Sequence, residues 1–106
     1  MNDPQFFEAA RSLAQNALHA SKGDLGGEFN FLATRLLARP LESGEREIIE
    51  GSYKDYLNRF SSHEDEARKL LAVGESKADE SLPIFEFAAL TMVANEVMNL
   101  DEVLTK

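Results

Sequence analysis

The sequence has no cysteine, which excludes disulfides, thiolate nucleophiles, Cys-ligated zinc and covalent attachment of a c-type haem. Positive charge is scarce. Only 11 Lys and Arg stand against 19 Asp and Glu, for a net charge of -8, and no basic run exceeds the dipeptide Arg68-Lys69. Nucleic acid and anionic membranes are poor partners for such a surface, because phosphate binding is driven by neutralising cations. Long apolar runs are also missing. The longest, Phe87 to Ala94, is broken by Thr91 and is too short to span a bilayer, so no membrane insertion is expected. Met1-Asn2-Asp3-Pro4 lacks the basic region and apolar run of a signal peptide. The sequence therefore reads as cytosolic or as a piece of a longer protein.

What is present is the composition of one soluble domain: 106 residues, 43% hydrophobic and 28% charged. Asn2 or Asp3 can cap a first helix with Pro4 just inside it, where a missing N–H does no harm. Phe6, Ala10, Leu13, Ala14, Ala17 and Leu18 recur at helical spacing, with Glu8, Arg11 and Gln15 as the polar positions between them. The stretch Ser21 to Gly27, with glycines at 23, 26 and 27, is expected to end that helix in a turn. Phe29, Leu32, Ala33, Leu36 and Leu37 predict a second, shorter helix ending at Arg39-Pro40. Ser43 is the expected cap of a third, with Glu45 and Glu47 at the positive end of its dipole. Its stripe of Ile49, Tyr53, Tyr56, Leu57 and Phe60 carries it to about Phe60.

Ser61 and Glu64 fit a capping box for a fourth helix, whose apolar side is Ala67, Leu70 and Leu71 and whose stop is Gly74. Lys77 to Ser81 is polar and reads as a loop. Pro83 starts the last helix, where Phe87, Ala88, Leu90, Val93, Ala94, Val97 and Met98 are apolar on more than one side, the pattern of a helix surrounded by others. No segment alternates with period two for long enough to be a strand. The fold class expected is all-α: a single helical domain over 1–106, a bundle of about five helices with the last one central.

Four stretches resemble one family. They are Asn2-Asp3-Pro4-Gln5-Phe6 with Glu8-Ala9-Ala10-Arg11, then Leu37-Ala38-Arg39-Pro40 leading into Glu45, then Leu70 to Ser76, and finally Ala94-Asn95-Glu96-Val97-Met98-Asn99-Leu100-Asp101-Glu102-Val103-Leu104-Thr105. Taken in order, they resemble the C-terminal end of the planctomycete-type domain of unknown function called PSD-one, found in large exported proteins that often also carry planctomycete cytochrome c domains. The resemblance implies that the chain is a C-terminal fragment of a longer polypeptide, that this parent is periplasmic or otherwise extracytoplasmic, and that a cytochrome c domain is a possible neighbour.

The residues themselves offer little chemistry. Gly74-Glu75-Ser76 lacks the second glycine of a nucleophile elbow, with Ala78 in its place, and follows a helix rather than a strand. A helix end and turn is the better reading, with Gly74, Glu75 and Ser76 as a candidate interaction loop. His19 lies near the end of the first helix and His63 in a capping turn, and neither has a metal-binding partner at helical spacing. Asn99, Asp101 and Glu102 read as an acidic solvated edge, without the alternating ligands of a calcium loop. Tyr53, Tyr56 and Phe60 share a face that fits core packing better than a stacking site. No catalytic residue, metal or cofactor is expected.

The expected function is a non-catalytic structural or interaction domain of a larger exported bacterial protein. The alternative is part of the substrate-site wall of an extracytoplasmic, cytochrome-associated enzyme. Phe6 and Phe7 point about 100° apart on one helix, so Phe7 falls at the edge of the apolar face. It is the candidate interface residue, against the rest of the parent or a second copy in a weak homodimer.

Overall fold

A computed structural model describes the backbone of residues 4–22, 24–73 and 78–104 and the side chains of 7–22, 24–73 and 78–99. Among these residues the chain forms α1 (Pro4–Ser21), α2 (Leu25–Leu37), α3 (Ser43–Ser62), α4 (Glu64–Leu71) and α5 (Ile84–Leu104), with no strand. The fold is the all-α bundle expected.

Helix α5 is the hub, packing against each of the other four. Its residues 87–91 are five in succession with at most 1% exposure, and Val93, Ala94 and Val97 are buried as well. A helix can bury consecutive residues only when it has neighbours on all sides. The hydroxyl of Thr91 is accommodated by donating to the Phe87 carbonyl at 2.8 Å. Its most extensive partner is α1, which presents Ala10, Ala14 and Ala17, all fully buried. Small side chains on α1, and Ala88, Ala89 and Ala94 on α5, let the two helices approach closely.

Helix boundaries depart from the sequence expectations in four places, each for a local reason. First, α2 begins at Leu25 rather than near Phe29. Asp24 caps it, its carboxylate accepting from the Gly27 amide at 3.1 Å, so Gly26 and Gly27 lie in the first helical turn and not in a loop. Their role is space. A Cβ on Gly27 would lie 3.1 Å from Asp24 Oδ2 and 3.2 Å from Ser21 Oγ, and one on Gly26 would lie 2.9 Å from an Arg46 guanidinium nitrogen. The left-handed residue after α1 is Lys22, at φ 52. Gly23 lies outside the described residues.

Second, α2 ends at Leu37, with Ala38 left-handed at φ 57, short of Arg39-Pro40. The ring of Pro40 disfavours helical backbone at Arg39, so the exit comes earlier. Third, the cap of α3 is Glu42, and Ser43 is already helical. Glu45 reaches back to accept from the Glu42 amide at 2.9 Å. Fourth, the Ser61–Glu64 capping box does not form. Helix α3 runs on to Ser62, Ser61 Oγ donates to the Asn58 carbonyl at 2.9 Å, and Glu64 pairs with Arg68 at 2.6 Å. His63 alone joins α3 to α4, its amide donating to Phe60 and its carbonyl accepting from Glu66. With one linking residue there is no room for a separate capping turn.

Helix α4 ends at Leu71, with the Ala72 amide donating to Arg68. The expected stop at Gly74 lies outside the described residues. Residues 78–83 are non-helical, and Pro83 supplies the carbonyl that accepts the first bond of α5, from Phe87 at 2.9 Å.

Candidate functional site

Among the described residues two charged side chains are buried, and neither stood out in the sequence. Arg11 sits on α1 with only 2% exposure; it had read as a polar position between apolar ones. Its guanidinium donates to the carbonyls of Leu71 at 2.8 Å and Val73 at 2.5 Å, and lies 3.8 Å from the Glu8 carboxylate. The last carbonyls of a helix have no partner inside it and form the negative end of its dipole. Arg11 therefore satisfies the end of α4 and fixes the backbone leading into Gly74. The signal was available: Arg11, Ala14 and Leu18 form a stripe at three- and four-residue spacing, and the small alanines beside it leave room for a long side chain.

Glu28, on α2, is 3% exposed and has no hydrogen bond or ion pair among the described residues. Burial, then the nearby carboxylates of Glu86 and Asp24, push its carboxyl up from 4.5 to about 7. Burial and the charges of Glu86 and Glu28 likewise raise the Tyr53 hydroxyl to about 12, so Glu28, Glu86 and Tyr53 share one corner of α2, α3 and α5. Here too the spacing carried a signal, since Glu28 follows Leu25 by three residues and precedes Leu32 by four.

The third polar group lies between α1 and the loop before α5. His19 Nε2 is 2.8 Å from Asp79 Oδ2, while Asp79 Oδ1 accepts from the amide of Ser81 at 2.9 Å and from its hydroxyl at 2.6 Å. Gln15 accepts from the Asp79 amide at 3.1 Å. The residue types are those of a serine-histidine-aspartate set, but the connectivity is different: the serine donates to the carboxylate and not to the imidazole, so the relay of such a set is not formed. Its bonds pin the loop to α1. They also hold the Asp79 carboxyl below its usual range, the Ser81 hydroxyl most of all. His63 Nδ1 lies 3.0 Å from the Arg59 carbonyl.

Tyr53 and Phe60 are core residues, at 6% exposure each. Tyr53 meets Phe29 edge-on with centroids 5.8 Å apart, and Tyr56 stacks on Phe60 at 6.4 Å. Tyr56 is half-buried and donates to Glu96 at 2.6 Å. On the neighbouring position of α5, Asn95 Oδ1 is buried without a hydrogen-bond partner among the described residues.

A shallow crevice lined by Phe29, Leu32, Ala33, Leu41, Ile49, Val93 and Val97 lies between α2, α3 and α5 and leaves no room for a water molecule. Ligand pockets span roughly 300–1,000 Å³ and place polar groups among apolar ones. This crevice does neither. Among the described residues no three His, Asp or Glu side chains are grouped to hold a metal ion, and no helix is long and apolar enough to cross a membrane.

Gly74, Glu75 and Ser76, the candidate interaction loop, lie outside the described residues, as do Phe6 and the side chains of Asp101 and Glu102. Phe7 is half-buried on α1, and Asn99 is half-buried on α5. The surface feature that sequence reasoning missed is on α3. Ile48 is 70% exposed, and it stands between Gly44 and Gly51, where an added Cβ would meet open space. Comparison with known proteins finds no matching family model, curated protein or solved structure.

Proposed function

We propose that this chain is a non-catalytic helical packing module of a larger exported bacterial protein, presenting the outer face of α3 to the rest of that protein. The observation that carries the reading is Gly51. Glycine inside a helix costs about 1 kcal/mol relative to alanine, and in a bundle it is normally explained by a neighbour too close to admit a Cβ. Among the described residues nothing lies within 4 Å of a Cβ placed on Gly51 or Gly44, and the residue between them on the same stripe is the large exposed Ile48. A close neighbour from outside the bundle would account for all three. The export of the parent and the nearness of a cytochrome c domain rest on the resemblance of the four stretches to the planctomycete-type family. The second reading, part of a substrate-site wall, draws on Arg11, which holds the backbone beside Gly74 in place.

The test uses the polypeptide encoded beside this domain in the same reading frame, expressed separately and titrated against it by calorimetry. Binding that is lost in Ile48→Asp and in Gly51→Leu, with melting temperature unchanged in the first, is the expected result. Absence of binding, or binding indifferent to both changes, would overturn the reading.

A further inference from the structure

We propose that the junction of α2 with α5 and α3 is a proton-dependent latch, closed while the Glu28 carboxyl is protonated and loosened when it ionises. Glu28 lies on the inner stripe of α2 beside Phe29, Leu32 and Ala33, which are each 1% exposed. An ionised carboxylate in such a place needs a cation or several donors to offset its lost hydration. Among the described residues, the charges that act on it are negative, and Arg46, Arg11 and His19 on the neighbouring helices are engaged elsewhere.

From α5 comes Glu86, from the cap of α2 itself Asp24, and from α3 the Tyr53 hydroxyl, all near enough to Glu28 to shift its titration or be shifted by it. Arg46 of α3 approaches the α2 N-terminus but pairs with Glu50 at 3.4 Å and bonds Asn30 at 3.5 Å. Along α1, Arg11 is held by the end of α4 and by Glu8, and His19 by Asp79. Arg35, farther along α2, sits over the Phe31 ring at 4.8 Å. Protonation removes the repulsion and gives the Glu28 carboxyl a hydrogen to donate. Ionisation leaves a buried carboxylate with no partner among the described residues and charges of its own sign nearby, and the least costly relief is for α2 to move out toward water.

The direction in pH follows. A carboxyl at about 7 in the folded chain and 4.5 when released binds more protons folded than open between those values. Its contribution is therefore complete below 4.5 and gone above about 7. Between pH 6 and pH 8 the opening equilibrium of α2 should rise about tenfold.

Residue-level amide exchange by NMR, corrected for intrinsic rates, reads that change directly. The expected result is a rise of this size at Leu32 and Ala33, a much smaller one at Leu90 and Val93 of α5, and no pH step at Leu32 in Glu28→Gln. In Glu86→Gln, which keeps the titrating group but removes the like charge that acts on it most, the carboxyl signal of Glu28 should titrate at lower pH. Histidines as a type also change charge near neutrality, but their share survives in Glu28→Gln and is subtracted by it. A pH step that persists in Glu28→Gln, an equal step at Val93, or a Glu28 midpoint unmoved by Glu86→Gln would each overturn the latch.

Discussion

Arg11 and Glu28 are both almost completely buried, yet the two corners of the bundle solve the problem of a buried charge in opposite ways. At the α1–α4 corner the protein supplies the partner. The carbonyls at the end of α4 need donors, the guanidinium offers several in a fixed plane, and its charge faces the negative end of a helix dipole. At the α2–α5 corner no donor is supplied among the described residues, and the neighbouring charges have the same sign as the one being buried. There the solvent supplies the partner, as a proton. One corner is thus stable across the whole physiological range of pH, and the other is set by it. Burial alone does not say whether a charge stabilises a fold; the polarity of what surrounds it does.

The strongest way to break this comparison is to create a third buried charge with neither remedy. Val93 is fully buried in the middle of α5, the helix on which every other element packs. Val93→Asp loses about 1.5–3 kcal/mol of apolar burial and adds a carboxylate that must be desolvated or protonated. Since domains of this size are held by roughly 5–15 kcal/mol in total, no cooperative thermal transition should remain by circular dichroism. A native melting curve would mean that α5 is not the centre of the bundle. Next comes Arg11→Met, which keeps the long stem and removes the donors. Each buried carbonyl left unsatisfied costs about 1–3 kcal/mol, so a loss of roughly 2–4 kcal/mol is expected in urea titration, equal at pH 6 and pH 8.

Glu28→Gln should go the other way, and only at high pH. Above pH 7 it replaces an ionised buried group by a neutral one of the same shape, for a gain of about 1–2 kcal/mol after allowing for the polar burial that the amide retains. At pH 5, where the native carboxyl is already neutral, the two proteins should melt together. A gain of the same size at both pH values would mean that shape or propensity, and not charge, is what the corner resists.

Much of this was legible in the chain. The apolar spacing located all five helices, and the all-round pattern of Phe87 to Met98 made the last one central. Boundaries were less legible, because the residues that decide them act across the sequence: Ser21 and the capping Asp24 leave only a tight space for a Cβ at Gly27, and Glu45 caps α3 from inside the helix. Residue type also misled. Arg11 stood on an apolar stripe but read as polar, and Glu28 drew no reading at all, since charge predicts exposure unless the partner is visible, and the partner of Arg11 lies 60 residues away. Ile48 drew no reading: the stripe of the third helix took in its neighbour Ile49, which is buried as that stripe implies, and the exposure of Ile48 is visible only in the bundle.

The smallest expected effect separates burial from the size of a titration shift. Glu45 is displaced as far as Glu28 but in the other direction, from 4.5 down to about 2, chiefly by its hydrogen bonds from Arg39 and then by the Glu42 amide. Its Arg39 partner lies 2.8 Å away, and both side chains reach solvent. Because the folded value is the lower one, the contribution of Glu45 is present above 4.5 and lost as pH falls toward 2, the mirror image of Glu28. Solvent screening keeps such a pair small whatever its titration shift. Glu45→Gln retains an acceptor for the Glu42 amide and so preserves the cap, while removing only the charge. Its melting temperature at pH 7 should fall by less than that of Arg11→Met, and the gap to the parent chain should close between pH 4.5 and pH 2. Glu45→Ala, which loses the cap as well, should fall further at every pH. If Glu45→Gln instead matched Arg11→Met at pH 7, access to water would not be what distinguishes these charges, and the contrast between the two buried corners would have to be rebuilt on the hydrogen bonds alone.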